Sequence, residues 1–246
     1  EGSIANVLVE IEVGENRSGV INKDDYINIL HFINSRDSIC FMGIFSHDGN
    51  SYSAKDKDQC LEIHLESQRR TLEFAEIAKS MGMNPSIVSV GSTPSLINDF
   101  PILEGITEIR PGTYIFMDAA QANAYGDLSK NAAWVTTTVI SKPTDDRVIT
   151  DVGAKGLTMQ TRTNGFTKTK GMGIIKDFKN AYIHQVYDEH AIIYNKEIRD
   201  SIKIGDVIDV IPNHICPVVN LHESIYLINQ GIVESEIPVD CRGKLK

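Results

Sequence analysis

The stretch Ile87-Val88-Ser89-Val90-Gly91-Ser92-Thr93-Pro94-Ser95-Leu96 carries the chain from a strand into a helix. The run Ile87–Val90 predicts a short buried strand, and Gly91–Pro94 predicts the turn that opens a helix, where proline is well tolerated. The N–H groups at the start of a helix have no partner within it, so they are available to an anion beyond the end of the strand. The stretch therefore predicts a strand–helix unit with a turn that can bind phosphate. An ordinary helix cap remains the alternative.

Three further segments predict strands of the same kind. They are Val7–Val13, Ile39–Phe45 and Ile106–Ile109. The four segments recur at intervals of roughly 30 residues, which is the length of a strand–helix–strand unit. Because parallel strands need such crossovers, the sequence predicts a parallel sheet covered by helices.

Two helices are predicted between the first three strands. The first begins at the N-cap Asn22 and carries apolar side chains at helical spacing: Tyr26, Ile29, Leu30 and Ile33. The second is longer and ends at Gly82. The residues expected on its buried face are Leu61, Leu65, Leu72 and Ala75.

The sequence pattern changes from Ala132 onward, from alternating strands and helices to short strands. Six short strands are predicted there, at Trp134–Ile140, Arg147–Val152, Ala181–Tyr187, Ala191–Tyr194, Val207–Ile211 and Ser224–Ile228. The segment Gln160–Lys176 is rich in Thr, Lys and Gly and predicts a loop or an irregular hairpin. We therefore expect two domains, an α/β domain over residues 1–130 and an all-β domain over residues 131–246.

The composition restricts the possible partners. The chain has 246 residues, 41% of them hydrophobic, and its net charge of −9 with dispersed Lys and Arg argues against nucleic-acid binding. No apolar run approaches the roughly 20 residues that cross a bilayer. The four cysteines lack CxxC spacing and suit reduced thiols. We expect a cytoplasmic protein whose partners are small molecules or protein surfaces, not nucleic acid or membrane.

Two consecutive strand-to-helix turns suggest one phosphate site. Arg110-Pro111-Gly112-Thr113-Tyr114 follows the fourth strand as Gly91–Pro94 follows the third. Barrel enzymes often bind phosphate in the loops after strands seven and eight. On that count Val7–Val13 is the fifth strand, and four earlier strands are expected outside this sequence. Arg17 then lies at the C-terminal mouth of the fifth strand, either as an active-site group or as the ion-pair partner of Glu15 or Glu12.

His214 and Cys216 follow the strand Val207–Ile211. In a strand or extended turn, residues two apart face the same side, so an imidazole and a thiolate could bind one zinc ion and leave coordination positions open. The alternative is a buried thiol beside a hydrogen-bonded histidine. His31 and His64 lie in helical patterns and are expected at the surface or with their hydrogen bonds satisfied, outside any site.

Six segments in one order carry a family resemblance. They are Val9–Gly14 with Arg17 and Gly19, His47–Tyr52, Gly91–Pro94, Thr107–Asp118, Val135–Lys155 and Pro212–Asn220. Together they resemble the family of D-serine dehydratases and D-threonine aldolases over nearly the whole chain. The resemblance implies the second half of an alanine-racemase-like TIM barrel, about four strand–helix units, followed by a C-terminal β domain. It also implies a homodimer.

The resemblance implies pyridoxal 5'-phosphate and zinc as cofactors. The cofactor-binding residues that it implies are Arg17, Gly91, Ser92, Thr93, Arg110, Gly112 and Thr113. Gly91–Thr93 and the backbone of Gly112–Thr113 would hold the phosphate. Arg17 would face the cofactor phenolate or the substrate carboxylate, and Arg110 the pyridine nitrogen.

The same resemblance makes His214 and Cys216 the zinc ligands. The pattern H-x-C is similar to the dehydratases, whereas the aldolases tend to show H-x-D. This favours a D-serine dehydratase, which forms pyruvate and ammonia, over a D-threonine aldolase or another D-amino-acid lyase of the family.

Two departures from the family pattern bear on activity. Phe45 stands where relatives often have tyrosine. The family's Schiff-base lysine lies on the first barrel strand, and no lysine of this sequence matches its motif, so the catalytic residue is unknown. We therefore expect the chain by itself to form little Schiff base and to be inactive. A non-catalytic truncated binding module is the remaining alternative.

Overall fold

The computed structural model describes residues 3–244 and divides the chain into two compact units, Glu1–Tyr114 and Ile115–Lys246. The sequence predicts the boundary near residue 130, whereas the structure assigns residues 115–130 to the second unit. The reason is local: the N–H of Ala119 donates to the carbonyl of Pro212, at 3.0 Å, which ties the segment to the second unit. The first described helix of that segment, Ala119–Tyr125, belongs with the β-rich unit.

The first unit contains a four-stranded parallel sheet. The strands are β1 Ala5–Ile11, β2 Ile39–Ser46, β3 Ile87–Val90 and β4 Glu108–Ile109, hydrogen-bonded in that order. The helices are α1 Lys23–Asn34, α2 Lys57–Ser80 and the short α3 Thr93–Leu96, with a 3₁₀ turn at Gly49–Ser53. All four strand positions predicted from the sequence are confirmed to within a few residues.

Helix α1 follows the sequence closely. The side chain of Asn22 accepts a hydrogen bond from the N–H of Asp25 and caps the helix. Tyr26, Leu30 and Ile33 are buried against the sheet in one apolar cluster with Val9 and other strand residues. The predicted start and the predicted stripe are both confirmed.

Helix α2 ends as predicted, with Met81 as its C-cap and Gly82 beyond it at φ +79°. Of the predicted buried face, Ala75 is confirmed, but the prediction is wrong for Leu61, Leu65 and Leu72, which are only half-buried. Half of the buried residues are polar: the set is Cys60, His64, Ser67, Gln68, Thr71, Phe74, Ala75 and Ala78. Apolar spacing alone missed this face because its polar groups find hydrogen-bond partners within the unit.

Strand β1 is less covered than its composition suggests. The sequence predicts a strand buried on most sides, but only Val9, Ile11 and, just beyond the strand, Val13 are buried. Among the described residues β1 pairs along its length with β2 alone, and its other edge carries a single bridge, Ile11 to Val20. The apolar side chains near its start therefore remain accessible, Ile4 at 63%.

The second unit is built on a six-stranded sheet in the order β7-β10-β5-β6-β9-β8, in which every pairing is antiparallel. Its strands are β5 Val135–Ser141, β6 Arg147–Thr150, β7 Ile174–Ile175, β8 Gln185–Val186, β9 Ala191–Tyr194 and β10 Val207–Ile211. A separate hairpin pairs β11 Ser224–Asn229 with β12 Ile232–Pro238. The prediction of a β-rich second half is confirmed.

Several details of this unit differ from the sequence prediction. The segment Ala181–Tyr187 is a strand only at β8, and β12 was not predicted. The unit also contains the helices α4 Ala119–Tyr125, α5 Ala154–Leu157, α6 Lys196–Ser201 and α7 Ile215–Val219. These helices have seven residues or fewer, too few for an apolar period to stand out. No described helix of either unit is long and apolar enough to cross a membrane.

Gly43 allows β2 and β3 to approach each other. The register of β2 against β1 shifts next to it, and a Cβ on Gly43 would lie 1.8 Å from the carbonyl oxygen of Ile87. Its φ of +148° also lies in a region that other residues rarely adopt. A β-bulge that places glycine at the close contact allows β2 and β3 to pair without a steric clash.

We expect the substitution Gly43→Ala to lower the free energy of unfolding by about 3 kcal/mol or more, because backbone atoms of β3 would have to move. Urea unfolding followed by circular dichroism measures the effect. Gly82→Ala is the matched control: Gly82 also has a positive φ, but its Cβ would meet nothing within 4 Å, so the loss should be about 1 kcal/mol. Equal losses in the two variants would contradict the close-approach argument.

Candidate phosphate and metal sites

The turns after β3 and β4 lie side by side. A Cβ on Gly91 would be 2.9 Å from the backbone nitrogen of Arg110, and the N–H of Thr113 donates to Oγ1 of Thr93 at 3.3 Å. A Cβ on Gly112 would meet nothing within 4 Å, so the space beside it is open. The structure thus brings together the five residues predicted to hold a phosphate, and leaves room next to them.

The hydroxyl of Ser92 points into the protein. Its Oγ lies 2.8 Å from Oγ of Ser51 and 3.1 Å from Oγ of Ser95, and the residue is almost fully buried. Ser95 in turn donates to the Asp48 carboxylate at 2.6 Å. Since these hydroxyls satisfy one another, the N–H groups of the two turns are the better donors to a phosphate.

Asp48 is the centre of this buried network. Burial acts to raise the pKa of Asp48, but the nearby His64 and the hydrogen bond from Ser95 outweigh it and hold the pKa below its usual value. His64 Nδ1 is 3.8 Å from the carboxylate, and its Nε2 is 3.1 Å from the carbonyl of Pro101. The hydrogen-bonding groups of His64 are therefore satisfied, as the sequence indicates. The side chain is buried beside Asp48, which accepts a hydrogen bond from Ser95 in the helix that follows Ser92. Only the tertiary structure reveals this connection.

Arg110 lies against the end of β2. Its guanidinium donates to the carbonyl of Ser46 at 2.6 Å and to the hydroxyl of Ser89, and it stacks over the ring of Phe45 at 5.3 Å. Burial lowers the pKa of Arg110, and the nearby Glu108 opposes this effect. The phenylalanine that departs from the family pattern thus packs on a predicted cofactor-binding arginine.

Arg17 follows β1 and is held by acidic side chains. It forms ion pairs with Glu15, at 3.4 Å, and with Glu10, at 3.7 Å, while its side chain remains 54% exposed. The Glu15 carboxylate also contacts Nδ1 of His47 at 2.8 Å. A Cβ on Gly49 would be 2.0 Å from this carboxylate, so any larger residue there would displace the Glu15 side chain. The ion-pair alternative considered for Arg17 is present, with Glu10 in the place of Glu12.

His214 and Cys216 lie at the start of a helix, not in an extended turn. His214 is the N-cap of α7, with φ −144° and ψ 108°, and Cys216 is the second residue of the helix. The predicted strand-like alternation is therefore wrong: the backbone changes from extended to helical between the two residues, because β10 ends at Ile211. Cys216 is exposed and forms no disulfide.

His214 has the character of a metal ligand. Burial, with a contribution from the charge of Arg162, lowers the pKa of His214 to about 4, so its imidazole is neutral at neutral pH. Its Nδ1 lies 2.6 Å from the amide oxygen of Gln160. Metal ions bind the neutral imidazole through one nitrogen while the other commonly donates a hydrogen bond.

The turn that contains His214 is fixed by Asp118. The Asp118 carboxylate accepts hydrogen bonds from the N–H of Gln121, at 2.8 Å, and from the N–H of Ile215, at 3.0 Å. Ile215 stands between the two predicted ligands, and Asp118 itself is fully buried. No local pattern indicates this role, since the two partners are 97 residues apart.

The described residues contain no group of three or more His, Cys, Asp or Glu side chains arranged to hold a metal ion. A metal at His214 and Cys216 would therefore rest on two protein ligands, with the other positions open. That donor set, one imidazole and one thiolate, suits zinc.

Two family models match the chain in succession. One, described as alanine racemase, N-terminal domain, matches residues 1–120, and the other, described as putative serine dehydratase domain, matches residues 132–228. A D-threonine aldolase from Arthrobacter sp is 28% identical over 248 residues, or 98% of the chain. The D-serine dehydratase of Dictyostelium discoideum is 26% identical over 247 residues, or 91% of the chain.

The two models and these relatives support the predicted family of D-serine dehydratases and D-threonine aldolases. It covers 62% of the length of the D-threonine aldolase and 61% of the D-serine dehydratase. Solved structures agree in fold. A D-threonine aldolase from Filomicrobium marinum superposes with a TM-score of 0.81 at 23% identity, over 100% of this chain and 65% of the other. The D-threo-3-hydroxyaspartate dehydratase from Delftia sp. HT23 gives 0.84 at 24% identity, over 95% and 65%.

These structures and the family model confirm the predicted alanine-racemase-like fold with a C-terminal β domain. The relatives are lyases that include both aldolases and dehydratases, named for D-serine, D-threonine and 3-hydroxy-D-aspartate substrates. The family is pyridoxal-phosphate-dependent, as the resemblance implies.

The protonation of Asp118 predicts a dependence of stability on pH. Burial raises the pKa of Asp118 from its usual 3.8 to about 6, although backbone N–H groups oppose this. Because the folded state has the higher pKa, the contribution of this group to stability is complete below about pH 4 and is lost as the pH rises through about 6.

We therefore expect the free energy of unfolding of the wild type to fall by about 2–3 kcal/mol relative to Asp118→Asn between pH 4 and pH 7. Asparagine adds a cost at one of the two N–H groups, but that cost is independent of pH. Urea unfolding of both proteins across this range provides the measurement. A difference that stays constant with pH would show that Asp118 is already ionised in the folded protein at low pH.

Proposed function

We propose that this chain is part of a D-serine dehydratase that uses pyridoxal phosphate and zinc to form pyruvate and ammonia. The observation that carries the proposal is the pair His214 and Cys216, in which a neutral imidazole stands two residues from an exposed thiol. The sequence pattern H-x-C favours the dehydratases of the family.

The relatives support a metal at this pair. Solved structures of the D-threo-3-hydroxyaspartate dehydratase include a metal-free form of a cysteine-to-alanine variant and a separate histidine-to-alanine variant. The two replaced residues of that enzyme are two positions apart, the spacing of His214 and Cys216. Zinc bound here would act as a Lewis acid that makes the substrate hydroxyl a better leaving group.

The first unit supplies the proposed cofactor site. The backbone of Gly91–Thr93 and of Gly112–Thr113 would bind the phosphate, since the Ser92 hydroxyl is occupied within the protein. Arg17 and Arg110 would contact the rest of the cofactor or the substrate carboxylate. Pyridoxal phosphate supplies an electron sink for the carbanion formed at the substrate α-carbon.

The different surroundings of the two arginines support their proposed roles. Arg110 is partly buried and makes hydrogen bonds to neutral oxygens of Ser46 and Ser89. Arg17 keeps half of its side chain accessible even though it is paired with Glu15 and Glu10. Arg110 therefore suits a fixed contact with the cofactor ring, whereas Arg17 can exchange a carboxylate of the protein for one of the substrate.

We further propose that the parallel sheet of the first unit corresponds to the second half of the barrel. Parallel sheets normally have both faces covered, whereas β1 pairs along its length with β2 alone among the described residues and has accessible apolar side chains near its start. The Schiff-base lysine would then lie on a strand that is not part of this sequence. A homodimer and a cytoplasmic location complete the proposal.

The second candidate is an aldolase that cleaves the bond between Cα and Cβ of D-threonine or of a related β-hydroxy amino acid. It is favoured by the identity to the D-threonine aldolase of Arthrobacter sp, 28%, which is similar to the identity to the dehydratases. A third candidate is a binding module without turnover.

We expect Cys216→Ala and His214→Ala each to weaken zinc binding by about 100-fold or more, since one of only two protein ligands is lost in each. Metal content after dialysis against zinc, measured by mass spectrometry, and competition with a zinc-binding dye give the affinities. Cys241→Ala is the matched control, because Cys241 is also an exposed thiol without a disulfide. Unchanged zinc binding in Cys216→Ala would remove the metal assignment.

Turnover by the full-length enzyme separates the candidate functions. With D-serine we expect pyruvate and ammonia, and we expect His214→Ala to abolish their formation. Glycine and acetaldehyde from D-threonine, without pyruvate from D-serine, would identify an aldolase. No product from either substrate, with zinc and pyridoxal phosphate supplied, would favour the binding module.

A further inference from the structure

Gln160 makes a defined contact with His214 across a long stretch of sequence. Its amide oxygen lies 2.6 Å from Nδ1 of the imidazole. An amide oxygen can only accept a hydrogen bond, so Nδ1 must carry the proton. In a neutral imidazole the other nitrogen, Nε2, then keeps its lone pair and is the atom that can bind a metal ion.

The position of Gln160 is set by its backbone. Asn213, which is buried, donates from Nδ2 to the carbonyl of Gln160 at 3.2 Å and to the carbonyl of Gly171 at 2.8 Å. The N–H of Gln160 donates to Oγ1 of Thr158 at 3.2 Å. Asn213 is the residue before His214, so one side chain fixes the distance between the histidine turn and the loop that carries its partner.

The opposite side of the same turn is fixed independently. Asp118 accepts a hydrogen bond from the N–H of Ile215, which holds the backbone directly after His214. The backbone beside His214 is therefore held, and the hydrogen bond to Gln160 orients the imidazole ring on it.

We propose that Gln160 is a positioning residue, whose amide oxygen holds His214 in the tautomer protonated at Nδ1 and presents Nε2 as the donor atom for the metal. The role as metal donor rests on the function proposed above, whereas the tautomer does not. Without Gln160 the imidazole would be free to take the tautomer protonated at Nε2. Histidine in water prefers this tautomer, and its Nε2 has no lone pair available for a metal ion.

The tautomer can be measured in the metal-free protein. Long-range ¹H–¹⁵N correlation spectra of the chain labelled at histidine distinguish a protonated from an unprotonated ring nitrogen, and His214→Gln identifies the signals of His214 among the seven histidines. We expect a wild-type His214 protonated at Nδ1. Gln160→Leu should move the proton to Nε2, and Gln160→Glu, which retains an acceptor, should keep it at Nδ1.

Zinc binding provides the second readout. We expect Gln160→Leu to weaken zinc binding by about 10–100-fold, as is typical for the loss of a hydrogen-bond partner of a ligand, and Gln160→Glu to restore it. Gln185→Leu, at an exposed glutamine of β8, is the matched control and should bind zinc as the wild type does. Cobalt(II) in place of zinc gives a thiolate charge-transfer band that reports whether Cys216 still binds the metal.

The outcomes separate this inference from the proposed function. A wild-type His214 protonated at Nε2, or a tautomer that Gln160→Leu leaves unchanged, overturns the role of Gln160 whether or not zinc binds. Zinc binding of equal strength in the wild type and in Gln160→Leu also overturns it. The expected tautomers combined with a wild type that binds no zinc would instead overturn the metal site and leave the positioning of the imidazole established.

Discussion

The buried carboxylate of Asp118 connects two regions that the sequence keeps 97 residues apart. It caps α4 through Gln121 and holds the turn between β10 and α7 through Ile215. The backbone contact from Ala119 to Pro212 runs beside it. Because a buried N–H group without an acceptor costs free energy, the two segments cannot separate within the fold without leaving the N–H of Ile215 unpaired. The geometry of the candidate metal site follows from this constraint.

The two candidate sites rely on different kinds of support. In the first unit, the phosphate turns are shaped by backbone: Gly91 approaches Arg110 closely, and side-chain hydroxyls turn inward to Asp48. In the second unit, the turn with His214 is shaped by side chains that reach to main-chain atoms, such as Asn213 and Asp118. Backbone cradles suit a phosphate, whose oxygens accept from any direction, and side-chain anchors suit a metal, which demands particular donor atoms.

Much of the first unit could be predicted from sequence. The Asn22 cap, the stripe of α1 and the strands near Ile39 and Ile87 are local signals, and all are present. The buried face of α2 could not be predicted, since hydropathy ranks His64 and Gln68 as surface residues until their partners are known. The helix at Ile215–Val219 was missed because it is short and contains a proline. Gln160 and Asp118 were missed because their partners are distant in sequence.

The polar side of α2 also limits how this helix can be placed. His64, Ser67, Gln68 and Thr71 each make hydrogen bonds within the first unit, to one another or to residues such as Ser46, Pro101 and Leu103. An apolar interface tolerates a shift of the helix along its axis. A displacement of α2 by one turn would instead leave several of these polar groups without hydrogen-bond partners. The helix thus has a single permitted register. The hydrogen bonds of this polar face set the position of α2 in the first unit. Leucine at these positions would bury more apolar surface, but it would no longer fix the position of the loop that contains Ser92.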